Sequence, residues 1–336
     1  MEGYGFGVAD LLKRLASGGS LNAEEAYALS REILSGGLND VAVAAALTAM
    51  RCRGETAEEV AGFVKSAREA AVKVPLRVEA IDTAGTGGDG AGTINLSTLA
   101  AVVAAAAGAR VLKHGNRSAS GFFGSADFME AVGYNLEVGP EKAADMVEKI
   151  GFAFVFAPRY HPAFARVAPV RRQLPFRTVF NIVGPLANPG LVKRQLIGVS
   201  ERRLLDVVGG VASLLLDRAL VVYGSGVDEV STEGPTEVVE VRGGRTERYV
   251  LEPEDFGVGK TPLPRASTRE EAVGLALAGL RGERREAEIA IAVNAAAALY
   301  VAEVVRDFRD GFELAVKAIR EGAAYRKLRE AVEASR

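Results

Sequence analysis

Gly85-Thr86-Gly87-Gly88-Asp89-Gly90 and Lys113-His114-Gly115-Asn116-Arg117-Ser118 lie about 25 residues apart, and each follows a short segment that reads as a β-strand, residues 78–83 and 110–113. Between them Asn95-Leu96-Ser97-Thr98 opens an alanine-rich helix over 97–107, with Gly108 as its stop signal. Gly124-Ser125-Ala126-Asp127 starts a further helix that ends at Gly133. Strand, loop and helix in repetition are the pattern of an α/β sheet with parallel strands. Residues 152–157 and 219–223 read as more buried strands, and 238–241 with 248–251 as a hairpin turning through Gly243-Gly244.

Working outward, residues 1–74 read as four helices without a strand. Asn22 with Glu25, and Thr56 with Glu59, have the spacing of capping boxes. The helix after Thr56 is expected to run to about Lys73, and Pro75 breaks the pattern. Residues 40–53 form an alanine-rich helix before Gly54. From about Thr268 the chain reads as helical almost to its end. The apolar stretch 287–305 carries Glu288, Asn294 and Glu303, which predicts a buried helix and not a membrane span. The expected architecture is a small all-helical domain plus a larger α/β domain.

A chain of 336 residues suits one large domain with a smaller partner. Its net charge of −2 supplies no global field to recruit nucleic acid or an anionic membrane. Cys52 is the only cysteine, so neither a disulfide framework nor a cysteine metal site is available, and a reducing cytoplasm fits. Met1-Glu2-Gly3-Tyr4-Gly5 has no basic or apolar signal region. Glutamine occurs only at Gln173 and Gln195, and arginine outnumbers lysine. Either a heat-stable protein or a genomic base bias accounts for that usage.

In open α/β sheets ligands bind at the carboxyl ends of the strands. Three loops leave such ends: 85–90, 113–120 and Gly224-Ser225-Gly226-Val227-Asp228-Glu229. If their strands are neighbours, the loops share one crevice. The first loop also matches G-x-G-x-x-G, but the next strand ends in Lys113 where a dinucleotide site wants an acid, and Asp89 would repel a bare pyrophosphate. A tight turn explains one or two of the glycines but not Thr86 and Asp89 as well. Ser97 and Thr98 are ordinary N-cap residues taken alone. With Asn95 and a glycine loop beside them, they open a helix end suited to phosphate, and Ser125 repeats the situation. Lys113, Asn116 and Arg117 add charge and donors. Asp228-Glu229, next to a phosphate site, is a candidate for Mg2+. His114 and His161, the only histidines, are too few for a histidine metal site and are candidates for substrate contact.

These segments occur in order with His161-Pro162-Ala163, Val170-Arg171, Arg177-Thr178-Val179-Phe180-Asn181, Gly184-Pro185-Leu186-Ala187-Asn188-Pro189 and Val227-Asp228-Glu229. Over nearly the whole length the chain resembles the anthranilate phosphoribosyltransferase family of tryptophan biosynthesis. The resemblance implies the nucleoside phosphorylase/phosphoribosyltransferase type of fold. Residues 1–74 with about 160–181 would form the helical domain, which mediates a homodimer. Residues 75–159 and 182–336 would form the α/β domain with a central, mainly parallel sheet flanked by helices. It also implies attack of the anthranilate amine on C1 of phosphoribosyl pyrophosphate, with no nucleic acid or membrane as partner.

By match, the phosphoribosyl pyrophosphate site would comprise Gly85, Gly87, Gly88, Asp89, Thr93, Asn95, Leu96, Ser97, Thr98, Lys113, His114, Gly115, Asn116, Arg117, Ser118, Ala119, Ser120, Gly121 and Ser125. Anthranilate would meet Gly85, His114, Asn116, His161, Arg171, Gly184 and Pro185, with Arg171 on its carboxylate. Ser97, Asp228 and Glu229 would hold Mg2+, as two ions with the pyrophosphate. No residue is assigned as a general acid or base, because an aniline nitrogen is already neutral and the leaving group is metal-bound. One departure stands out. The family's basic or polar pair before Gly124 is here Phe122-Phe123, which brings no charge to that loop. The alternatives are a pyrimidine nucleoside phosphorylase-like enzyme and a non-catalytic nucleic-acid-binding relative. Arg171 and the acidic pair argue against the first, and the net charge with that same pair against the second.

Overall fold

The computed structural model describes residues 7–118 and 123–336. Four helices come first: α1 (Val8–Ala16), α2 (Ala23–Ser35), α3 (Asp40–Arg53) and α4 (Ala57–Ala70). Both expected capping boxes form, Asn22 with Glu25 and Thr56 with Glu59. Helix α4 stops three residues before the expected Lys73. The Val72 amide donates to the Tyr160 carbonyl (2.8 Å) and the Val74 amide to that of Pro189 (3.1 Å), so tertiary acceptors take the donors a longer helix would need.

The α/β part follows as β1 (Ile81–Gly85), α5 (Leu96–Ala106), β2 (Val111–Gly115), α6 (Ser125–Ala131), α7 (Pro140–Ile150), β3 (Phe152–Phe156), α8 (Ala157–Tyr160), α9 (Phe164–Gln173) and α10 (Val179–Leu186). Next come β4 (Arg194–Gly198), α11 (Leu204–Leu215), β5 (Arg218–Tyr223), β6 (Thr236–Arg242) and β7 (Arg245–Leu251). The chain closes with α12 (Arg269–Leu280), α13 (Arg285–Val301), α14 (Phe308–Arg320) and α15 (Ala323–Ser335). Strand β1 starts at Ile81, later than the expected 78, because pairing to the neighbouring strands begins only there. Strand β4 was not anticipated. No helix among the described residues is long and apolar enough to cross a membrane.

The seven strands are ordered β3-β2-β1-β4-β5-β6-β7, parallel from β3 to β5 and antiparallel beyond. The chain winds outward from β1 to β3, returns to place β4 on the other side of β1, and winds outward again. The switch point therefore lies between β1 and β4, the place at which open α/β sheets form their ligand crevice.

Side chains alternate across β4 and β5 and feed two cores. Leu196, Leu220 and Val222 join the larger core with α5, α13 and α15. Helices α5 and α13 are buried nearly all round, and their alanines and valines let them pack closely. Ile197, Ala219 and Val221 face the second core, which runs without a break through α10 and α11 into the N-terminal helices. Helix α9 packs on α2 and α3, and α10 on α4.

Candidate active site

The switch-point crevice is lined by the glycine loop after β1. Gly87, Gly88, Gly90 and Gly92 all have positive φ, a conformation that side chains rarely adopt. The Thr86 amide donates to the Gly198 carbonyl (2.9 Å), and the Thr86 hydroxyl lies 3.1 Å from that of Ser200 after β4. The loop after β5 belongs to a strand separated from β1 by β4, yet it folds back over both. A Cβ at Gly85 or at Gly198 would collide with Asp228, so the two bare strand ends let the acidic pair reach the crevice.

There Asp228 Oδ2 accepts from the Gly87 amide (2.6 Å) and Glu229 Oε1 from the Ser97 amide (3.1 Å). Burial, then the charge of Asp89, pushes the Asp228 carboxyl up to about 6. Burial and the Asp228 charge push Glu229 well above the usual carboxylate range. Asn294 of α13 grips the next residue through both ends of its amide: its Oδ1 accepts from the Val230 amide (2.9 Å) and its Nδ2 donates to the Val230 carbonyl (3.0 Å).

Beneath the crevice lies Lys113, only 2% exposed. Burial lowers its pKa against the opposing pull of Asp82, Glu229 and Asp228. Asp82 is fully buried; its Oδ1 accepts from the Thr83 amide (2.8 Å) and the His114 amide (3.1 Å). Its Oδ2 accepts from Asn188 Nδ2 (2.8 Å), which also donates to the Leu112 carbonyl (2.8 Å). Gln195 Nε2 reaches the same oxygen at 3.5 Å and the Pro185 carbonyl at 3.0 Å. One carboxylate thus ties β1, β2, β4 and the connection from α10 into a floor for the site.

At the start of α5, Leu96 is fully buried and the hydroxyl of Thr98 and Oδ1 of Asn95 are buried without a hydrogen-bond partner. Unpaired buried polar atoms are uncommon in a finished interior and suit a polar ligand, although the amides of this first turn are themselves taken by Ile94, Glu229 and Asn95. Thr93 is held apart by a bridge to Arg265.

A series of rings runs from the end of β2 to α9 and α10. His114 and His161 lie 5.1 Å apart, His161 stacks on Phe164 (5.0 Å), Phe164 meets Phe180 edge-on (5.6 Å), and the Arg171 guanidinium lies over Phe180 (5.7 Å). Burial holds both histidines neutral at pH 7: His161 falls to about 4 and His114 well below its ordinary value, the latter helped by His161 and Lys113 and opposed by the Gly184 carbonyl. The Nε2 atoms of both are buried without a partner. Among the described residues no carboxylate or hydrogen-bond acceptor pairs with Arg171, whose pKa burial lowers. Pro185 is buried within α10.

Other expected residues have different engagements. Arg117 pairs with Asp127 (2.7 Å) and Glu130 (2.8 Å) in a partly exposed ion-pair cluster. Asn116 Oδ1 accepts from the Arg117 backbone N–H (2.7 Å), and the Asn116 backbone N–H donates to the Ser125 hydroxyl (3.2 Å). The Ser118 amide points to Asp127 (3.4 Å), and Gly115 lies too close to Ser125 and Phe154 for any side chain. Ala119, Ser120, Gly121 and Phe122 lie outside the described residues. Phe123 sits under the Arg269 guanidinium (5.7 Å) and against Phe128, and its carbonyl accepts from Asn95 (3.4 Å). Asp82, Asn188, Gln195, Asn294 and Ser200 were given no role from sequence. An aspartate inside an apolar strand was the available signal for the first.

The donor set suits a hard divalent cation: Asp228 and Glu229, with Asp89 adding repulsion, and the serine at the start of α5. Among the described residues no cluster of three or more His, Cys, Asp and Glu is drawn together tightly enough to hold a metal by itself.

Comparison with known proteins agrees with this architecture. Residues 9–71 match the helical bundle domain of a glycosyl transferase family and residues 77–325 the a/b domain of the same family. The anthranilate phosphoribosyltransferase of Pyrobaculum islandicum is 94% identical over 329 residues, 98% of this chain and 100% of that protein. The crystal structure of that enzyme from Thermus thermophilus superposes with a TM-score of 0.92 at 40% identity, covering 97% of this chain and 99% of the other. The Saccharomyces cerevisiae enzyme in complex with PRPP and Mg gives 0.87 at 26%, covering 98% and 97%. Its complex with 4-fluoroanthranilate gives 0.87 at 25%, with the same coverage. The chain belongs to the anthranilate phosphoribosyltransferase family.

Proposed function

We infer that this chain transfers the phosphoribosyl group of 5-phosphoribosyl 1-pyrophosphate to the amino group of anthranilate. The products are N-(5-phosphoribosyl)anthranilate and pyrophosphate, in the second step from chorismate to tryptophan. The observation that carries this reading is the presence of two unlike half-sites at the carboxyl end of one sheet. A glycine loop and helix start face the carboxylates of Asp228 and Glu229, and a ladder of rings leads from His114 to the unpaired guanidinium of Arg171.

Gly85, Gly87, Gly88 and Asp89 line the diphosphoribosyl part of the donor, and its phosphates are held at the start of α5 by Asn95, Ser97 and Thr98 and by Lys113. Arg171 takes the acceptor's carboxylate as a charge-assisted pair. The neutral His114 and His161, with Gly184 and Pro185, wall the aromatic ring and keep water from it. The amine nitrogen is neutral at pH 7 and needs no base, so the residues act by positioning and fixed electrostatics. Mg2+, as two ions held by Ser97, Asp228 and Glu229, supplies neutralisation of the leaving pyrophosphate. Residues 1–74 with 160–181 form the helical domain, and two copies associate through it in the cytoplasm.

The discriminating experiment offers the purified protein phosphoribosyl pyrophosphate with anthranilate in one mixture and thymidine with inorganic phosphate in another, and identifies products by mass. Phosphoribosylated anthranilate from the first alone is expected. Thymine from the second alone would transfer the assignment to a nucleoside phosphorylase.

A further inference from the structure

The glycine loop carries four residues of positive φ, so its own backbone does little to hold one shape. Its amide side is anchored: Thr86 N–H to Gly198, Gly87 N–H to Asp228, and Asp89 Oδ1 accepts from Ala91 (3.1 Å). Its carbonyl side is anchored from a distant part of the chain. Arg177, in the connection between α9 and α10, donates through Nη2 to the Thr86 carbonyl (2.7 Å) and through Nη1 to the Gly87 carbonyl. The guanidinium is half-buried, with Glu201, Asp228 and Asp89 around it and Arg51 of α3 opposing. Arg51 is itself paired to Glu201 (3.7 Å).

We propose that Arg177 is a positioning residue that orders the glycine loop for the phosphoribosyl donor. The two donors of one planar fork fix two successive carbonyls, and with them the peptide whose N–H meets Asp228. Gly87 is thereby clamped between the acidic pair and the segment that carries Arg171 six residues earlier. The loop's shape thus depends on the acceptor side of the crevice being in place. This rests on the reading of the loop as the donor site.

The test has two arms. In the ligand-free protein, amide hydrogen exchange at Gly87 and Gly88 is compared in wild type and Arg177→Ala. The variant is expected to exchange faster there, with helices α5 and α13 unchanged. In turnover, Arg177→Ala is expected to raise KM for phosphoribosyl pyrophosphate by about ten-fold or more, the effect of losing two charge-assisted bonds, and to move KM for anthranilate far less. Arg177→Lys keeps the charge without the fork and should fall between. It carries the same test if the alanine variant fails to fold. A folded variant with wild-type exchange at the loop would overturn the proposal even with a raised donor KM, because that pattern belongs to a residue touching the phosphates. Should the wild type not use this donor, the exchange arm still reads the clamp, so the two failures are distinct.

Discussion

Arg171 and Asp228 are the residues whose chemistry depends most on where the fold has put them. Arg171 is partly buried and pairs with no carboxylate among the described residues, so under the proposed function a carboxylate on the acceptor would gain a charge-assisted bond there. Arg171→Ala should raise KM for anthranilate at least ten-fold, on the order of 1.5–3 kcal/mol, and leave that for phosphoribosyl pyrophosphate nearly unchanged. Equal effects on both in steady-state kinetics would remove the carboxylate assignment. Asp228 is pushed up to about 6, so it is neutral below that pH and anionic above. Its proton favours the ligand-free fold at low pH, and that contribution is lost as pH rises through about 6, whereas cation binding needs the anion. The Mg2+ concentration for half-maximal rate should therefore fall as pH rises across this range, and Asp228→Asn should abolish the trend along with most turnover. A pH-independent Mg2+ requirement in the wild type would contradict the role. The acidic pair, the glycines and both histidines were legible because their residue types are unusual in their settings. Arg177 stood inside a recognised segment, but the carbonyls it meets are 90 and 91 residues away, and no local pattern encodes that pairing.

At the level of elements, β4 shows where a sequence reading stops. Arg194-Gln195-Leu196-Ile197-Gly198 is short, and as a central strand covered on both faces it has no alternation to display. Its polar Gln195 has meaning only once Asp82 of β1 is beside it. By contrast, the two capping boxes and the Gly243-Gly244 turn were readable because each is a local arrangement, the turn having positive φ at both central residues. The junction of β1, β2 and the segment after α10 hangs on Asn188, which is fully buried. Asn188→Ala leaves Asp82 Oδ2 with only the long contact to Gln195 and orphans the Leu112 carbonyl. A loss of about 2–4 kcal/mol is expected in denaturant unfolding. A loss below about 0.5 kcal/mol would mean that water or Gln195 replaces the asparagine without cost.

Across the whole molecule, the two-part build was legible from the change of pattern near Pro75, but the shared interior was not. The second core runs from Leu11 in α1 to Val241 in β6, so the helical part has no hydrophobic core of its own. Calorimetry should show one unfolding transition, and two resolved transitions would mean that the N-terminal helices form a separate cooperative unit. Surface ion pairs join into networks, Glu303 with Arg194 and Arg218, and Arg248 with Glu237 and Asp206, an arrangement that gains weight as temperature rises. Under the proposed function one site joins a metal-assisted phosphoribosyl donor to anthranilate. This is tested most directly by following anthranilate fluorescence with purified protein, phosphoribosyl pyrophosphate and Mg2+, with and without EDTA, at room temperature and at high temperature. A decay that requires Mg2+ and stops with EDTA is expected; folded protein that leaves the fluorescence constant in every mixture would rule this reaction out.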